Sequence, residues 1–208
     1  MSGVLDFLSP SLAAESDGHR PVARSSMERR FREAGATFAE RDGWLVPVSV
    51  PGEAAHLTAV GIADLSHLTK LEVRTAVGSD PVGSDPTAVV YRISPRRTLV
   101  LCRAADTSSL LASLATDHPL ALDVTAQHGI LALVGAAAPT LLRRLTHLHR
   151  FPCGGEVAHI TAHVLERHDG YWIVFPQEYG HYLYDVATDC ASALGGGPVG
   201  VDAAGGAA

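Results

Sequence analysis

The segment GIADLSHLTKLEV, residues 61–73, decides the fold because its pattern returns later in the chain. In it, Asp64 opens the turn DLS and lies seven positions before Leu71, which belongs to a strand-like run. In the later copy, Asp123 opens the turn DVT and lies seven positions before Ile130, which begins the apolar run ILALV. An aspartate followed by a hydroxyl residue ties a turn through side-chain to backbone hydrogen bonds. Two such turns at one spacing before two strands therefore indicate an internal repeat.

The repeat continues through a hairpin and a helix in each half of the chain. The first half has the strand-like runs VVYRI and LVLC, followed by a helical pattern over residues 106–115. The second half has HVLE and WIVF around the turn HDG, followed by a helical pattern over residues 177–192 and preceded by an additional helix over 138–148. This order is typical of the ferredoxin-like split βαβ unit. The sequence therefore predicts an α+β protein in which two ferredoxin-like split βαβ halves form one unit.

Residues 25–194 form the predicted domain, and both ends of the chain differ from it in composition. The domain begins with a short helix that SMER, residues 26–29, opens and that runs to about Ala34, with Ser26 as its N-cap, and it continues through a hairpin around the turn RDG. Residues 1–24 are rich in Ser, Ala, Gly and Pro, and residues 195–208 read GGGPVGVDAAGGAA. Such segments bury too little surface to offset the entropy of ordering them. We therefore expect a flexible arm at 1–24 and a flexible tail at 195–208.

The composition favours a globular cytoplasmic protein and excludes several classes of function. Apolar residues make up 47% of the 208 positions and charged residues 18%, which is a globular composition. A net charge of −6 without any run of basic residues argues against a nucleic-acid surface. The longest apolar stretch is shorter than the ~20 residues that cross a bilayer, and we identify no signal peptide. The three widely spaced cysteines indicate reduced thiols in a cytoplasmic protein that does not contact a membrane.

The histidines and the polar turns make neither a metal centre nor a complete catalytic constellation. His159 and His163 are four positions apart, but on a strand that spacing separates them by roughly 13 Å, too far to share one ion. The turn after Asp64 contains Ser66 but no Gly-x-Ser-x-Gly elbow, so a structural turn is the preferred interpretation. Cys153 lies in the turn FPCGG without a basic residue fixed beside it. We therefore predict no metal site and no independent catalytic group from these residues.

Five segments, in order, resemble the aminomethyltransferase (glycine-cleavage T-protein) folate-binding family. The segment at 61–73 resembles the signature G-[LI]-x-D-[LV]-S-[HX]-x-x-K-x-x-V, and the preceding GATFAERDGWLVPVSVPGEAAHLTAV resembles its lead-in. Further on, TAQHGILALVGAAAPTLLRRL resembles the family's strand and helix, and DGYWIVFPQEYGHYLYDVATDC with PVGVDA resembles its last strand, helix and closing turn. The resemblance covers roughly residues 25–203. It implies a single unit like the T-protein folate-binding domain.

Within this family, the chain looks most like the short gamma subunit of heterotetrameric sarcosine oxidase. The similarity lies in its size and in the segments YRISPRRTLVLC and FPCGGEVAHIT. Full T-proteins continue past the segment that PVGVDA resembles into a further folate-contacting stretch and a C-terminal barrel, and we expect no such barrel here. In the sarcosine oxidase family, larger subunits hold the flavins and the folate domain. The resemblance therefore implies larger flavin-containing oxidase subunits as partners, and no cofactor of the chain's own.

Two positions depart from the family pattern where folate chemistry needs a carboxylate. The family's pterin-binding glutamate follows the aromatic residue of D-G-[YF]-E, and here that position is Trp172, whose indole only donates. The family's catalytic aspartate falls where this chain has GSDPVGSDPT, with Asp85 as the nearest acid. A carboxylate there would hold a proton near the folate nitrogen. The resemblance thus implies Asp85 as the one catalytic candidate, and Tyr91, Tyr171 and Trp172 as candidate folate-pocket residues.

Three functions are compatible with the sequence. The first is a non-catalytic accessory subunit of a sarcosine oxidase-like N-demethylating flavoenzyme, whose complex delivers one-carbon units to tetrahydrofolate. The second is a stand-alone, shortened tetrahydrofolate-dependent aminomethyl or methyl transferase that uses Asp85 and the three aromatic residues. The third is a scaffold of the same fold with an unrelated ligand or partner. The loss of both carboxylate anchors favours the first. Because Tyr171 and Trp172 are adjacent on a predicted strand, we also expect them to face opposite sides of the sheet.

Overall fold

The structure, a computed structural model, describes residues 21–77, 88–117 and 120–205. The helices are α1 Glu28–Glu33, α2 Glu53–His56, α3 Thr107–Asp117, α4 Ala138–Leu145 and α5 Gly180–Ser192. The strands are β1 Ala23–Arg24, β2 Thr37–Arg41, β3 Trp44–Ser49, β4 Gly61–Asp64, β5 Thr69–Arg74, β6 Val89–Ser94, β7 Arg97–Cys102, β8 Ala121–Asp123, β9 His128–Val134, β10 Cys153–Val157, β11 Ile160–Arg167, β12 Gly170–Pro176 and β13 Gly197–Pro198. The predicted α+β class is confirmed.

Two sheets carry the internal repeat. The four-stranded sheet has the order β6-β7-β5-β8, and the six-stranded sheet has the order β10-β11-β12-β9-β4-β13. The hairpin β6-β7 of the first half corresponds to β11-β12 of the second, and β5 corresponds to β9. The six-stranded sheet thus contains the same four-strand order with one further strand at each edge. A third, three-stranded sheet has the order β1-β3-β2 and is built around the hairpin predicted near the turn RDG.

The two halves are interlocked because each contributes its first strand to the other half's sheet. Strand β4 of the first half pairs with β9, and β8 of the second half pairs with β5. Neither half therefore completes a sheet by itself. The ferredoxin-like description of each half stays a prediction, since it rests on the order of elements along the chain and not on strand exchange. None of the sheets among the described residues closes into a barrel.

The apolar side chains form three core clusters, and the alternation of side chains along each strand decides which cluster a residue joins. Leu133 and Ile173 point to the face of the six-stranded sheet that packs against the helical layer with α4 and α5. Ala132 and Trp172 point to the opposite face and pack in the core between the two large sheets. A smaller cluster around Val100 lies between the four-stranded sheet and α3. The layers are therefore helix, sheet, sheet, helix.

The segment after Gly195 is packed and differs from the expected flexible tail. Residues Gly197–Pro198 form β13, which pairs in parallel with β4, and Val199 and Val201 are buried in the core between the sheets. The backbone N–H of Val201 donates to the carbonyl of Pro47 at 3.0 Å. Glycine-rich composition favoured disorder, but the apolar valines between the glycines fill the core and offset the cost of ordering them.

Two helix ends also differ from the sequence expectation. The residue at the start of α1 is Met27 instead of Ser26, and its N–H donates to the hydroxyl of Ser25 at 3.1 Å. Helix α4 ends at Leu145, three positions before the expected Leu148, because the chain turns there to meet the β10–β11 hairpin. At that point the N–H of Ala158 donates to the carbonyl of Leu145 at 2.7 Å. Of the helices that the structure describes, none combines the length and apolar character that spanning a bilayer requires.

Candidate functional site

Strand β12 carries two of the predicted pocket residues and separates them. Tyr171 pairs with Leu133 of β9, and its ring packs edge-on against Phe151 with centroids 5.3 Å apart, on the helix-covered face. Trp172 pairs with Ala132 and belongs to the core between the two large sheets. The two aromatic rings therefore lie on opposite faces of the six-stranded sheet, as the alternation of a strand predicts. They do not line one pocket together.

Trp172 is enclosed by neighbours on the face that the resemblance assigns to folate. Its side chain is 7% exposed and is packed in a cluster that includes Trp44, Leu165 and Val174. The guanidinium of Arg167 lies over the indole ring, 4.7 Å from its centroid, in a cation–π contact. An indole offers one N–H donor and no acceptor. Neither the packing nor the chemistry of Trp172 supplies a place where two ring N–H groups of a pterin could be accepted.

Tyr91 lies in the same core as Trp172 and forms a polar pair with His163. The hydroxyl of Tyr91 lies 3.1 Å from Nδ1 of His163, and the two ring centroids are 5.1 Å apart. Gly154 of β10 makes room for this pair, since a Cβ added there would lie 2.6 Å from the same imidazole nitrogen. The structure thus brings together Tyr91, Trp172 and His163 around one face of the six-stranded sheet.

Burial favours the neutral form of both residues in this pair. Burial raises the pKa of Tyr91, so the phenol keeps its proton at neutral pH. Burial, with a smaller effect from the cation of Arg97, lowers the pKa of His163 and favours the neutral imidazole. The contact is therefore a hydrogen bond between a neutral phenol and a neutral imidazole, and the tautomer of His163 decides which of the two donates. Sequence reasoning considered His163 only as a metal ligand and missed this contact, because the two residues are 72 positions apart.

Asp85, the one catalytic candidate, lies outside the described residues. Among the described residues, no group of three or more His, Cys, Asp or Glu side chains is placed to hold a metal ion. His159 occupies the turn between β10 and β11, and His163 lies within β11. The imidazole of His159 is exposed and lies 3.2 Å from a carboxylate oxygen of Glu156, on the hairpin's own turn.

The turns DLS and DVT have the structural role that was predicted for them. A carboxylate oxygen of Asp64 accepts the backbone N–H of Ser66 at 2.9 Å. In the second half, a carboxylate oxygen of Asp123 accepts the backbone N–H of Thr125 at 2.8 Å. Each aspartate therefore closes a turn immediately before a strand, as an Asx-turn does. The Asp, Ser and His of residues 64–67 do not form an acyl-transfer triad.

Lys70 is the one lysine of the chain, and the structure buries it completely between these two turns. Its ammonium donates to the carbonyl of Ser66 at 2.6 Å and lies 5.9 Å from the ring centroid of Trp44. Burial lowers the pKa of Lys70 to about 7, against the opposing effect of Asp64. A neutral amine is a nucleophile, but the surrounding residues enclose this one completely. The family signature contains a lysine at this position, but nothing in its spacing indicated that the side chain is fully buried.

The curated proteins that match the chain in sequence include several aminomethyltransferases. No protein-family model matches the chain. The aminomethyltransferase of Mycobacterium tuberculosis is 29% identical in an alignment 219 positions long, gaps included, which covers 85% of this chain and 59% of that protein. The aminomethyltransferase of Frankia alni is 32% identical in an alignment 159 positions long, which covers 60% of this chain and 44% of that protein. The chain therefore spans about half the length of these curated relatives.

Solved structures share the fold across most of the chain. One chain of the heterotetrameric sarcosine oxidase from Corynebacterium sp. U-96 matches with a TM-score of 0.64 at 17% identity, over 83% of this chain and 96% of that chain. The glycine cleavage system aminomethyltransferase T from Bartonella henselae matches with a TM-score of 0.69 at 18% identity, over 88% of this chain and 60% of that one. The resemblance to the aminomethyltransferase folate-binding family, with a sarcosine oxidase chain among the proteins of the same fold, is confirmed.

Proposed function

We propose that the chain is a non-catalytic, gamma-type subunit of a sarcosine oxidase-like flavoenzyme complex. In that complex, a flavin on a larger subunit oxidises an N-methyl group, and the resulting one-carbon unit passes to tetrahydrofolate bound on another chain. This chain would stabilise the assembly without binding a cofactor. The observation that carries the proposal is Trp172, which stands at the position of the family's pterin-binding glutamate and is enclosed by the core.

The free-energy cost of placing a pterin at Trp172 supports a non-catalytic role. A pterin would have to displace the indole and its neighbours from a core that is closed on this face. Removing a large aromatic side chain from such a core costs about 3–5 kcal/mol. The bound ring would then leave its N–H donors without a carboxylate, which costs roughly a further 1–3 kcal/mol. Together these costs exceed the binding free energy that a few aromatic contacts would contribute.

The size of the shared fold is a second line of support. The match covers 96% of the sarcosine oxidase chain, so almost the whole of that natural subunit is accounted for by the fold described here. It covers 60% of the aminomethyltransferase T chain, which has further structure beyond the match. Oxidase subunits that carry flavin are therefore the partners that we propose.

The decisive experiment is co-expression with candidate flavin-containing oxidase subunits from the same genome. We expect a complex of fixed stoichiometry that contains flavin and consumes oxygen with sarcosine. Omitting this chain should reduce the yield of the assembled complex without altering the flavin spectrum of what remains. The proposal fails if the complex assembles equally well and is equally stable without this chain.

The second candidate, a stand-alone tetrahydrofolate-dependent transferase, is favoured by the 29% and 32% identities to aminomethyltransferases. It can be tested with Trp44→Phe, which leaves Trp172 as the one tryptophan of the chain. Quenching of its fluorescence by micromolar 5-methyltetrahydrofolate would support the transferase. The matched variant Trp172→Phe, which leaves Trp44, should then show weaker quenching. We expect neither variant to respond, because both indoles are enclosed.

A further inference from the structure

A cavity of about 570 Å³ lies on the helix-covered side of the six-stranded sheet, between α4, α5 and the β10–β11 hairpin. The segment 143–150 contributes to both its exposed rim and its apolar floor. Arg143, Arg144 and Arg150 line it, as do Leu145, Ala158 and Tyr182. We propose that this cavity binds a small organic anion that combines an apolar body with at least one strongly acidic group.

The rim of the cavity carries more positive than negative charge. Arg143, Arg144 and Arg150 face one carboxylate, that of Glu156, in a chain whose net charge is −6. Among the described residues, no carboxylate forms an ion pair with any of these three arginines. By contrast, many arginines elsewhere are neutralised by ion pairs; they are Arg24, Arg29, Arg30, Arg32, Arg41, Arg74, Arg97 and Arg103. Three arginines without an ion-pair partner among the described residues therefore lie together at this cavity, where an anion would pair with them.

The hydrogen bonds of these arginines leave donors for a ligand. Arg143 donates to the hydroxyl of Thr140 at 3.3 Å, and Arg144 donates to the carbonyl of Cys190 at 3.1 Å. A guanidinium has five N–H groups, so each retains several. The bond to Cys190 also ties the end of α4 to α5 and holds Arg144 at the rim. Planar, bidentate recognition of a carboxylate, sulfonate or phosphate is the interaction for which such groups are suited.

The floor of the cavity is apolar and suits the body of the ligand. Leu145 and Ala158 are buried, and Leu148 and Val186 are half-buried against the same core cluster. Tyr182, which is 41% exposed, supplies an aromatic wall. Pockets of about 300–1,000 Å³ with apolar walls and a few polar groups are typical of small-molecule sites. An inorganic anion alone would leave this floor uncovered, which is why we infer an organic one.

An unusual backbone turn holds one wall of the cavity in place. Ala158 and His159 form the turn of the β10–β11 hairpin with φ angles of 46° and 63°, in the left-handed region that non-glycine residues rarely adopt. Such a conformation costs of order 1–3 kcal/mol per residue and persists where surrounding contacts impose it. Here it keeps Ala158 in the floor and His159 at the rim. A turn with Asn-Gly would make the same hairpin with less strain.

The cavity is separate from the proposed folate-related face. Its floor belongs to the core between the six-stranded sheet and the helices, whereas Trp172 lies in the core between the two sheets. The inference therefore does not depend on the proposed function, and each can fail without the other.

The charge requirement can be tested with anilinonaphthalene sulfonate, a fluorescent organic anion, and with N-phenylnaphthylamine, which has the same ring system without the sulfonate. We expect saturable binding of the sulfonate, with about tenfold weaker binding by Arg150→Glu. Arg96→Glu makes the same change of charge at an exposed residue of the β6–β7 turn and should leave binding unchanged. The uncharged probe should bind the unsubstituted protein more weakly than the sulfonate does, and Arg150→Glu should not affect it.

The location can be tested with the cysteines. Cys153 lines the cavity, whereas Cys190 on α5 does not, and both are half-buried free thiols. Saturating anilinonaphthalene sulfonate should slow the alkylation of Cys153 by iodoacetamide several-fold and leave Cys190 unaffected, as peptide mass analysis would quantify. Equal weakening by Arg150→Glu and Arg96→Glu, or an unchanged rate at Cys153 under saturating probe, would overturn the inference. Absence of saturable binding would overturn it as well.

Discussion

The hydroxyl of Ser66 accepts a hydrogen bond from the backbone N–H of Ile130 at 3.1 Å, across 64 positions of sequence. The other half of the repeat makes the reciprocal contact, in which the hydroxyl of Thr125 accepts the backbone N–H of Lys70 at 3.0 Å. Each polar turn therefore satisfies a buried amide of the strand that belongs to the other half. Ser66 and Thr125 lie in the turns where the chain passes from one large sheet to the other, so the paired bonds couple the two sheets.

The reciprocal bonds predict similar losses of stability for Ser66→Ala and Thr125→Val. Each substitution leaves one buried backbone N–H without a partner, which costs about 1–3 kcal/mol of the free energy of unfolding. Urea unfolding at neutral pH would measure both. Ser109→Ala removes an exposed hydroxyl bond to a backbone carbonyl and serves as the control, with an expected change below about 0.5 kcal/mol. Losses as small as that of the control in both variants would contradict the structural role of the turns.

The buried lysine predicts a pH dependence of stability that Lys70→Met should remove. The pKa of Lys70 is about 7 in the folded protein, against an ordinary value of 10.5, so between these pH values the unfolded chain binds more protons. Stability from this group therefore rises as the pH increases from 7 towards 10.5. We expect the difference in unfolding free energy between the unsubstituted protein and Lys70→Met to change by roughly 2–4 kcal/mol across that window.

Taking the difference between the two proteins cancels the contributions of tyrosines and cysteines, which titrate in the same range. Because Lys70 is the one lysine, no other side chain of its type contributes. Parallel stability curves for the two proteins between neutral pH and pH values near 10 would show that the amine is solvated and not enclosed as the structure has it.

The buried His67 predicts a second pH dependence of stability, between pH 6.5 and pH 4. Burial, with smaller effects from Lys70 and Arg41, lowers the pKa of His67 from 6.5 to about 4. The folded protein must therefore bury a neutral imidazole that the unfolded chain protonates more readily, and stability falls as the pH decreases from 6.5 to 4. His67→Gln should reduce this fall by about 1–3 kcal/mol in urea unfolding. His181→Gln on the exposed side of α5 is the control, and an equal effect of both variants would refute the assignment.

The contact between Tyr91 and His163 predicts a modest effect of Tyr91→Phe. The variant keeps the ring in the core but removes the 3.1 Å hydrogen bond to Nδ1 of His163. We expect a loss of about 1 kcal/mol in the free energy of unfolding. Tyr179→Phe, at a ring that is 42% exposed, should change stability by less than half as much. A gain in stability for Tyr91→Phe would mean that the pair is not formed.

Part of the candidate site could be predicted from the sequence. Alternation along β12 was enough to place Tyr171 and Trp172 on opposite faces, because successive side chains of a strand point in opposite directions. The family motif was enough to identify Trp172 as the departure from a carboxylate. The partner of Tyr91 could not be predicted in this way, since β6 and β11 lie in different sheets and only their packing brings Tyr91 to His163.

The sequence by itself determined the internal repeat, because a polar turn closed by its own aspartate is a local structure and needs no distant residue. It could not determine that β4 and β8 exchange sheets, since strand pairing depends on which edge is nearest in the folded chain. The tail after Gly195 is a similar case: its composition favours disorder, and only the core between the sheets provides the contacts that order Val199 and Val201. The tertiary structure likewise decided the burial of Lys70, because the two turns that enclose it come from separate halves.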